Sequence, residues 1–137
     1  MIPLESAILI VDDMKTMRRF IIILLKKIGF SNFLEADNVK RAAGMIKSRL
    51  NGEDPIRLII SDWNMPEING MEFLQMLRKS EATKNIPFIM MSANQDPDKI
   101  GVILNLGAGA YLKKPLTIDT LKNGIETASS TNQPQSS

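Results

Sequence analysis

The run Ala7-Ile8-Leu9-Ile10-Val11 is apolar throughout, mostly β-branched, and stops at two consecutive aspartates, Asp12 and Asp13. A short apolar run without alternation reads as a strand buried on both faces, and such a strand needs helices above and below it. The chain supplies them. Met17, Phe20, Ile21, Leu24, Leu25 and Ile28 recur at helical spacing, and Gly29 stands where a C-terminal cap belongs. The pattern then repeats, with a strand at Phe33 to Ala36 and a helix through Val39, Ala42, Ala43, Ile46 and Leu50, weakened by Gly44 and ended by Asn51-Gly52. Ile56 to Ser61 predicts a third strand, which again ends at an aspartate, Asp62, and a third helix runs from about Met71 to Ser80. Ile86 to Ser92 predicts a fourth strand, Pro97 to Asn105 a short helix closed near Gly107, and Ala110 to Lys113 a fifth strand. Thr117 caps a last helix that turns Leu121 and Ile125 inward.

Five alternations of strand and helix predict an α/β fold, a doubly wound parallel sheet with helices on both faces. The chain of 137 residues is the size of one domain, expected over residues 1–128, and the Ser, Thr, Asn, Gln and Pro of residues 129–137 predict a disordered polar tail. Charged residues make up 23% and hydrophobic ones 44%, as in water-soluble domains. The longest apolar run, Phe20 to Leu25, falls far short of the roughly 20 residues that span a bilayer, so no membrane partner is expected and the cytoplasm is the expected compartment. The absence of cysteine excludes disulfides and thiolate chemistry, and the absence of histidine excludes a Ser-His-Asp triad, a His-ligated metal and a phosphohistidine on this chain. The 17 basic and 15 acidic residues are interspersed, leaving no basic stripe for nucleic acid.

Parallel sheets of this kind carry their chemistry at the carboxyl ends of the strands. Those ends hold Asp12 and Asp13, Asp62, Ser92 and, just past the fifth strand, Lys114. If the first and third strands are neighbours, three carboxylates converge and repel one another. Either protonation of one carboxylate or a hard divalent cation relieves that repulsion, and two or three carboxylates with waters suit Mg²⁺. Lys114 adds a second positive charge. Metal and ammonium around one carboxylate are what phosphoryl transfer needs, with the carboxylate itself as nucleophile and Ser92 as a hydroxyl donor to the transferred group. A single aspartate at a strand end is ordinarily a loop or capping residue. The joint arrangement over four strand ends is what points to chemistry.

Val11-Asp12-Asp13, Ser61-Asp62-Trp63-Asn64-Met65-Pro66 with Gly70, Met91-Ser92-Ala93, Gly107-Ala108 through Tyr111, and Lys113-Lys114-Pro115 resemble, in that order, the motifs of response-regulator receiver domains. The resemblance covers about residues 5–128, and Met17-Arg18-Arg19, the Asp-Trp-Asn-Met-Pro string and Tyr111 look most like the single-domain CheY chemotaxis proteins. It implies a flavodoxin-like sheet in the order 2-1-3-4-5. It makes Asp62 the phosphoacceptor, with Asp12, Asp13, Asp62 and the backbone carbonyl of Asn64 as Mg²⁺ ligands. Lys114 would contact the phosphoryl group, held by a Lys-Pro peptide that is typically cis in the family. Ser92 and Tyr111 would be the switch pair, and Asn64 and Asn94 would tune dephosphorylation. The implied partners are a CheA-like histidine kinase, an output protein such as the flagellar motor switch protein, and a phosphatase. Two departures stand out: Asp37-Asn38 where the family often has Asp-Gly, and Leu116 where Phe usually follows Lys-Pro.

Other functions share parts of this pattern. A phosphate sink or phosphorelay intermediate would use the same residues. Haloacid-dehalogenase-like phosphatases use an aspartyl phosphate on a similar fold but need Asp-x-Asp after the first strand, where this chain has Asp12-Asp13-Met14. A flavin or nucleotide binder would want a phosphate-cradling loop there, and Asp12-Asp13-Met14-Lys15 is acidic and lacks glycine.

Overall fold

A computed structural model of the protein describes residues 2–93 and 96–131. The elements run β1 (Ala7–Val11), α1 (Lys15–Ile28), β2 (Asn32–Ala36), α2 (Val39–Arg49), β3 (Ile56–Asp62), α3 (Gly70–Lys79), β4 (Phe88–Ser92), α4 (Pro97–Asn105), β5 (Ala110–Lys113) and α5 (Ile118–Thr131). The five strands form one sheet in the order β2-β1-β3-β4-β5. Every pairing is parallel, with Val11 opposite Ala36 and Ser61, Asp62 opposite Met91, and Ser92 opposite Lys113.

The unalternating apolar character of β1 has its reason in the two layers it serves. Ile8 and Ile10 pack with Ile21, Leu25, Leu121 and Ile125 beneath α1 and α5. Leu9 and Val11 face the opposite way, onto Val39, Phe73 and Leu74 beneath α2 and α3. All five β1 residues are fully buried, and each large side chain so buried contributes about 1.5–3 kcal/mol of transfer free energy. Phe73 and Phe88 meet edge to face at 5.7 Å in the second layer.

Expected and observed elements differ mostly at their ends. α3 starts at Gly70 because Asn69 and Glu72 form a reciprocal capping box. Gly29 takes the cap expected of it, at φ 127°, and donates its N–H to the carbonyls of Leu25 and Lys26. Thr117 caps the last helix by accepting from the Thr120 N–H at 3.1 Å. That helix runs to Thr131, three residues past the expected domain end at residue 128. Ala128 is buried against the sheet layer, and the Ser129 and Ser130 hydroxyls bond back to the carbonyls of Ile125 and Glu126. The remainder of the expected disordered tail, residues 132–137, lies outside the described residues. Phe20, which shares the helical spacing of the α1 apolar residues, is 39% exposed. The buried stripe centres on Ile21, Leu24 and Leu25, and at about 100° per residue Phe20 falls beside it.

Candidate functional site

β1 and β3 are neighbours, so their terminal aspartates meet at one edge of the sheet. One carboxylate oxygen from each of Asp12, Asp13 and Asp62 lies within 4.8 Å of the others, with Asp13 exposed and the other two buried. Lys114, arriving just past β5, places Nζ 3.0 Å from Asp62 Oδ1 and 3.3 Å from Asp12 Oδ2. Its own backbone N–H is held by the Ser92 carbonyl at 2.9 Å, and the Lys114–Pro115 peptide is cis. Leu116, in the place of the usual aromatic, is buried in the α1/α5 layer.

Burial raises the Asp12 carboxyl above its ordinary range. The negative charge of Asp62 adds to that, while the Met14 N–H, which Asp12 Oδ1 accepts at 2.9 Å, and Lys114 oppose it. Burial alone would lower Lys114, but its hydrogen bond to Asp62 and the charges of both aspartates outweigh burial and raise it. Three clustered carboxylates against one ammonium leave an excess of two negative charges. A divalent cation with a preference for oxygen donors fits that excess and that donor set. Among the described residues, Asp12, Asp13 and Asp62 are therefore the side chains that can hold it.

The switch candidates fall where strand pairing puts them. Ser92 ends β4, is 1% exposed, and sits one residue beyond the register partner of Asp62. Tyr111 pairs with Met90 across β4 and β5. Since side chains alternate along a strand, Tyr111, Met90 and Ser92 share one face of the sheet. Tyr111 is half-buried and meets Trp63 edge to face, with ring centroids 6.3 Å apart. Asn64 is exposed in the β3–α3 loop, two residues past Asp62. Asn94 lies outside the described residues.

One close approach shapes the loop. A Cβ on Gly70 would overlap the Asp62 carbonyl oxygen and stand 2.9 Å from both Trp63 Cα and Met90 Sδ. The Gly70 N–H donates to the Trp63 carbonyl at 2.8 Å, folding the loop tightly back under Asp62. Sequence reasoning gave no role to Arg18 and Glu35. Arg18 donates through Nη1 to the Asp12 carbonyl at 2.7 Å and through Nε to Glu35 Oε1 at 3.0 Å. The available signal was Arg18-Arg19 near the start of a helix with no acid in its first turn, where the helix dipole disfavours cations.

The model of the response regulator receiver domain family matches residues 8–126. The chemotaxis protein CheY of Pseudomonas aeruginosa is 39% identical over 119 residues, covering 87% of this chain and 92% of that protein. The chemotaxis protein CheY1 of Helicobacter pylori is 34% identical over 125 residues, covering 91% and 98%. Among solved structures, a response regulator receiver domain protein from Clostridium thermocellum superposes with a TM-score of 0.79 at 28% identity, over 91% of this chain and 94% of the other. Chemotaxis protein CheY4 of Vibrio cholerae gives 0.76 at 28% identity, over 90% and 98%. With the strand order, the acid cluster and the lysine all in place, this chain belongs to the response regulator receiver domain family.

Proposed function

We propose that the protein is a phosphorylation-controlled switch in two-component signalling, with Asp62 as phosphoacceptor. The observation that carries this reading is the Asp62 carboxylate in contact with Lys114 Nζ at 3.0 Å inside a three-aspartate cluster. A carboxylate oxygen of Asp62 attacks the phosphorus of a phosphohistidine on a donor kinase. The P–N bond breaks, the imidazole leaves with the electron pair and takes up a proton, and an aspartyl phosphate remains. Asp12, Asp13, Asp62 and the Asn64 carbonyl would hold a Mg²⁺ ion, which would supply charge neutralisation at the phosphoryl oxygens. Lys114, just past β5, offers a second cation, and it and the Met14 N–H favour the charged form of Asp12 against the effect of its burial.

The likeness to chemotaxis proteins at 34–39% identity supports a CheA-like kinase as donor, the flagellar motor switch protein as output partner, and work in the cytoplasm. A phosphatase would remove the phosphoryl group, with Asn64 and Asn94 tuning dephosphorylation. Ser92 and Tyr111 on one sheet face support an output route in which the phosphoryl group draws the Ser92 hydroxyl inward and the Tyr111 ring follows. No described helix is long and apolar enough to cross a membrane. Intact mass after incubation with acetyl phosphate tests the reading. The wild type should gain one base-labile phosphoryl group only with Mg²⁺ present, and equal labelling of Asp62→Asn would overturn the assignment.

A further inference from the structure

We infer that Arg18 is a positioning residue for the acid pair, acting through the main chain of Asp12 and fixed in turn by Glu35 of β2. The inference rests on the metal-assisted reading of the site given above. α1 begins with Lys15, Arg18 and Arg19 and has no acid in its first turn. Cations at a helix N-terminus oppose the helix dipole at a cost of about 0.3–1 kcal/mol each, so a buried one there needs a specific partner. The Arg18 side chain is only 13% exposed, whereas that of Arg19 is 61% exposed. Both reach Glu35, Arg18 at 3.0 Å and Arg19 at 3.3 Å.

The second arm of the Arg18 fork is what sets it apart from an ordinary ion pair. Nη1 donates to the Asp12 carbonyl at 2.7 Å. The Asp12 N–H is bound to the Ala36 carbonyl at 3.1 Å, and Asp12 Oδ1 takes the Met14 N–H at 2.9 Å. Asp12 is thus held at its amide, its side chain and its carbonyl. The carbonyl belongs to the peptide that leads into Asp13, so the guanidinium fixes the plane from which the exposed Asp13 carboxylate projects. A guanidinium satisfies both arms because its donors lie in one rigid fork, whereas an ammonium is a single point donor. Groups that orient metal ligands in this way typically change metal affinity 10- to 100-fold when removed.

The test uses the full chain and Mg²⁺ alone, with the dissociation constant measured by calorimetry and fold stability by the urea midpoint without metal. Wild type, Arg18→Met, Arg18→Lys and the double variant Arg18→Met/Glu35→Gln are compared. Arg18→Met should weaken Mg²⁺ binding by roughly 10- to 100-fold, and Arg18→Lys should recover part of the loss. The double variant removes the partly stranded Glu35 carboxylate, so it should regain urea stability over Arg18→Met while Mg²⁺ binding stays weak. Wild-type Mg²⁺ affinity in folded Arg18→Met would overturn the positioning role, as would affinity that recovers in step with stability in the double variant. Failure of the metal-assisted reading would be seen separately, as a lack of Mg²⁺ binding by the wild type itself, and the positioning role would fall with it.

Discussion

Replacing Gly70 with Ala should destabilise the protein and loosen its site, while the same substitution at Gly44 should stabilise it. Both glycines lie in helices, where alanine is intrinsically favoured by up to about 1 kcal/mol. At Gly44 an added Cβ meets nothing within 4 Å, so that gain should appear almost whole, at about 0.5–1 kcal/mol. At Gly70 the methyl is driven into the Asp62 carbonyl and to 2.9 Å from Trp63 Cα, and neither main-chain atom can swing aside as a side chain would. Overpacking of this kind costs about 1–3 kcal/mol. Weakening the 2.8 Å bond from the Gly70 N–H to the Trp63 carbonyl costs about 0.5–1.5 kcal/mol more. The clash outweighs the propensity gain, for a net loss of roughly 1–3 kcal/mol. Urea denaturation of the two variants reads the difference directly, as midpoints moving in opposite directions at unchanged slope. The β3–α3 loop must also shift beneath Asp62, so Mg²⁺ binding should weaken in Gly70→Ala and stay unchanged in Gly44→Ala. A Gly70→Ala protein as stable as wild type would refute the close-approach argument.

Trp63 directly follows Asp62, so Mg²⁺ titration should change its emission saturably, with Asp13→Ala shifting the curve to higher Mg²⁺; a flat signal, with no heat of binding, would refute this. Because the folded Asp12 carboxyl is raised above its unfolded value near 3.8, the folded state holds the proton longer. The contribution of this group to stability therefore falls as pH rises from that value through the folded one. Without metal, wild type should lose stability relative to Asp12→Asn over that window, as urea midpoints at stepped pH will show. Lys114→Ala removes the cation that sits 3.0 Å from Asp62 and 3.3 Å from Asp12. It should cost about 1–3 kcal/mol at neutral pH, part of it recovered on adding Mg²⁺. Arg78 donates to the carbonyls of Gly107 at 2.9 Å and Ile86 at 2.8 Å. Arg78→Met should lower stability by about 2–3 kcal/mol with Mg²⁺ affinity unchanged, since these bonds lie away from the acid cluster.

The elements were legible because each rests on interactions that act over a few residues. β1 announced itself as doubly covered, Gly29 as a cap, and the bounds of α4 and β5 followed from Pro97, Gly107 and the short apolar run between Ala110 and Lys113. The acid cluster was legible for a related reason: in an alternating strand-helix chain, residues just past the strands collect at one edge whatever fills the helices. The strand order came from motif resemblance, since local periodicity carries no information about which strands pair. Ends were less sharp. The last helix outran its expected stop, with Ala128 buried against the sheet layer and the Ser129 and Ser130 hydroxyls bonded back onto the preceding turn.

What only the tertiary structure decided are the contacts between residues far apart in the chain. Lys114 meets Asp12 across 102 positions, and that it touches two carboxylates rather than one depends on how β5 is carried beside β4 and onward to β3. Arg18 finds Glu35 across 17 positions only because β2 pairs with β1 in a register that sets Glu35 opposite Ile10. Phe20 fits an apolar pattern and still faces outward, because the width of the buried stripe is set by the sheet beneath α1. Gly70 stands in the motif resemblance, but what its missing Cβ makes room for shows only once the Asp62 carbonyl is seen against it. Patterns of three to four residues and turn chemistry are written locally, so the sequence by itself determined the elements and the edge where the chemistry gathers. Register, crossover and close approach are set by the packing of the whole chain, and these decide which charges meet and how tightly the acid pair is held.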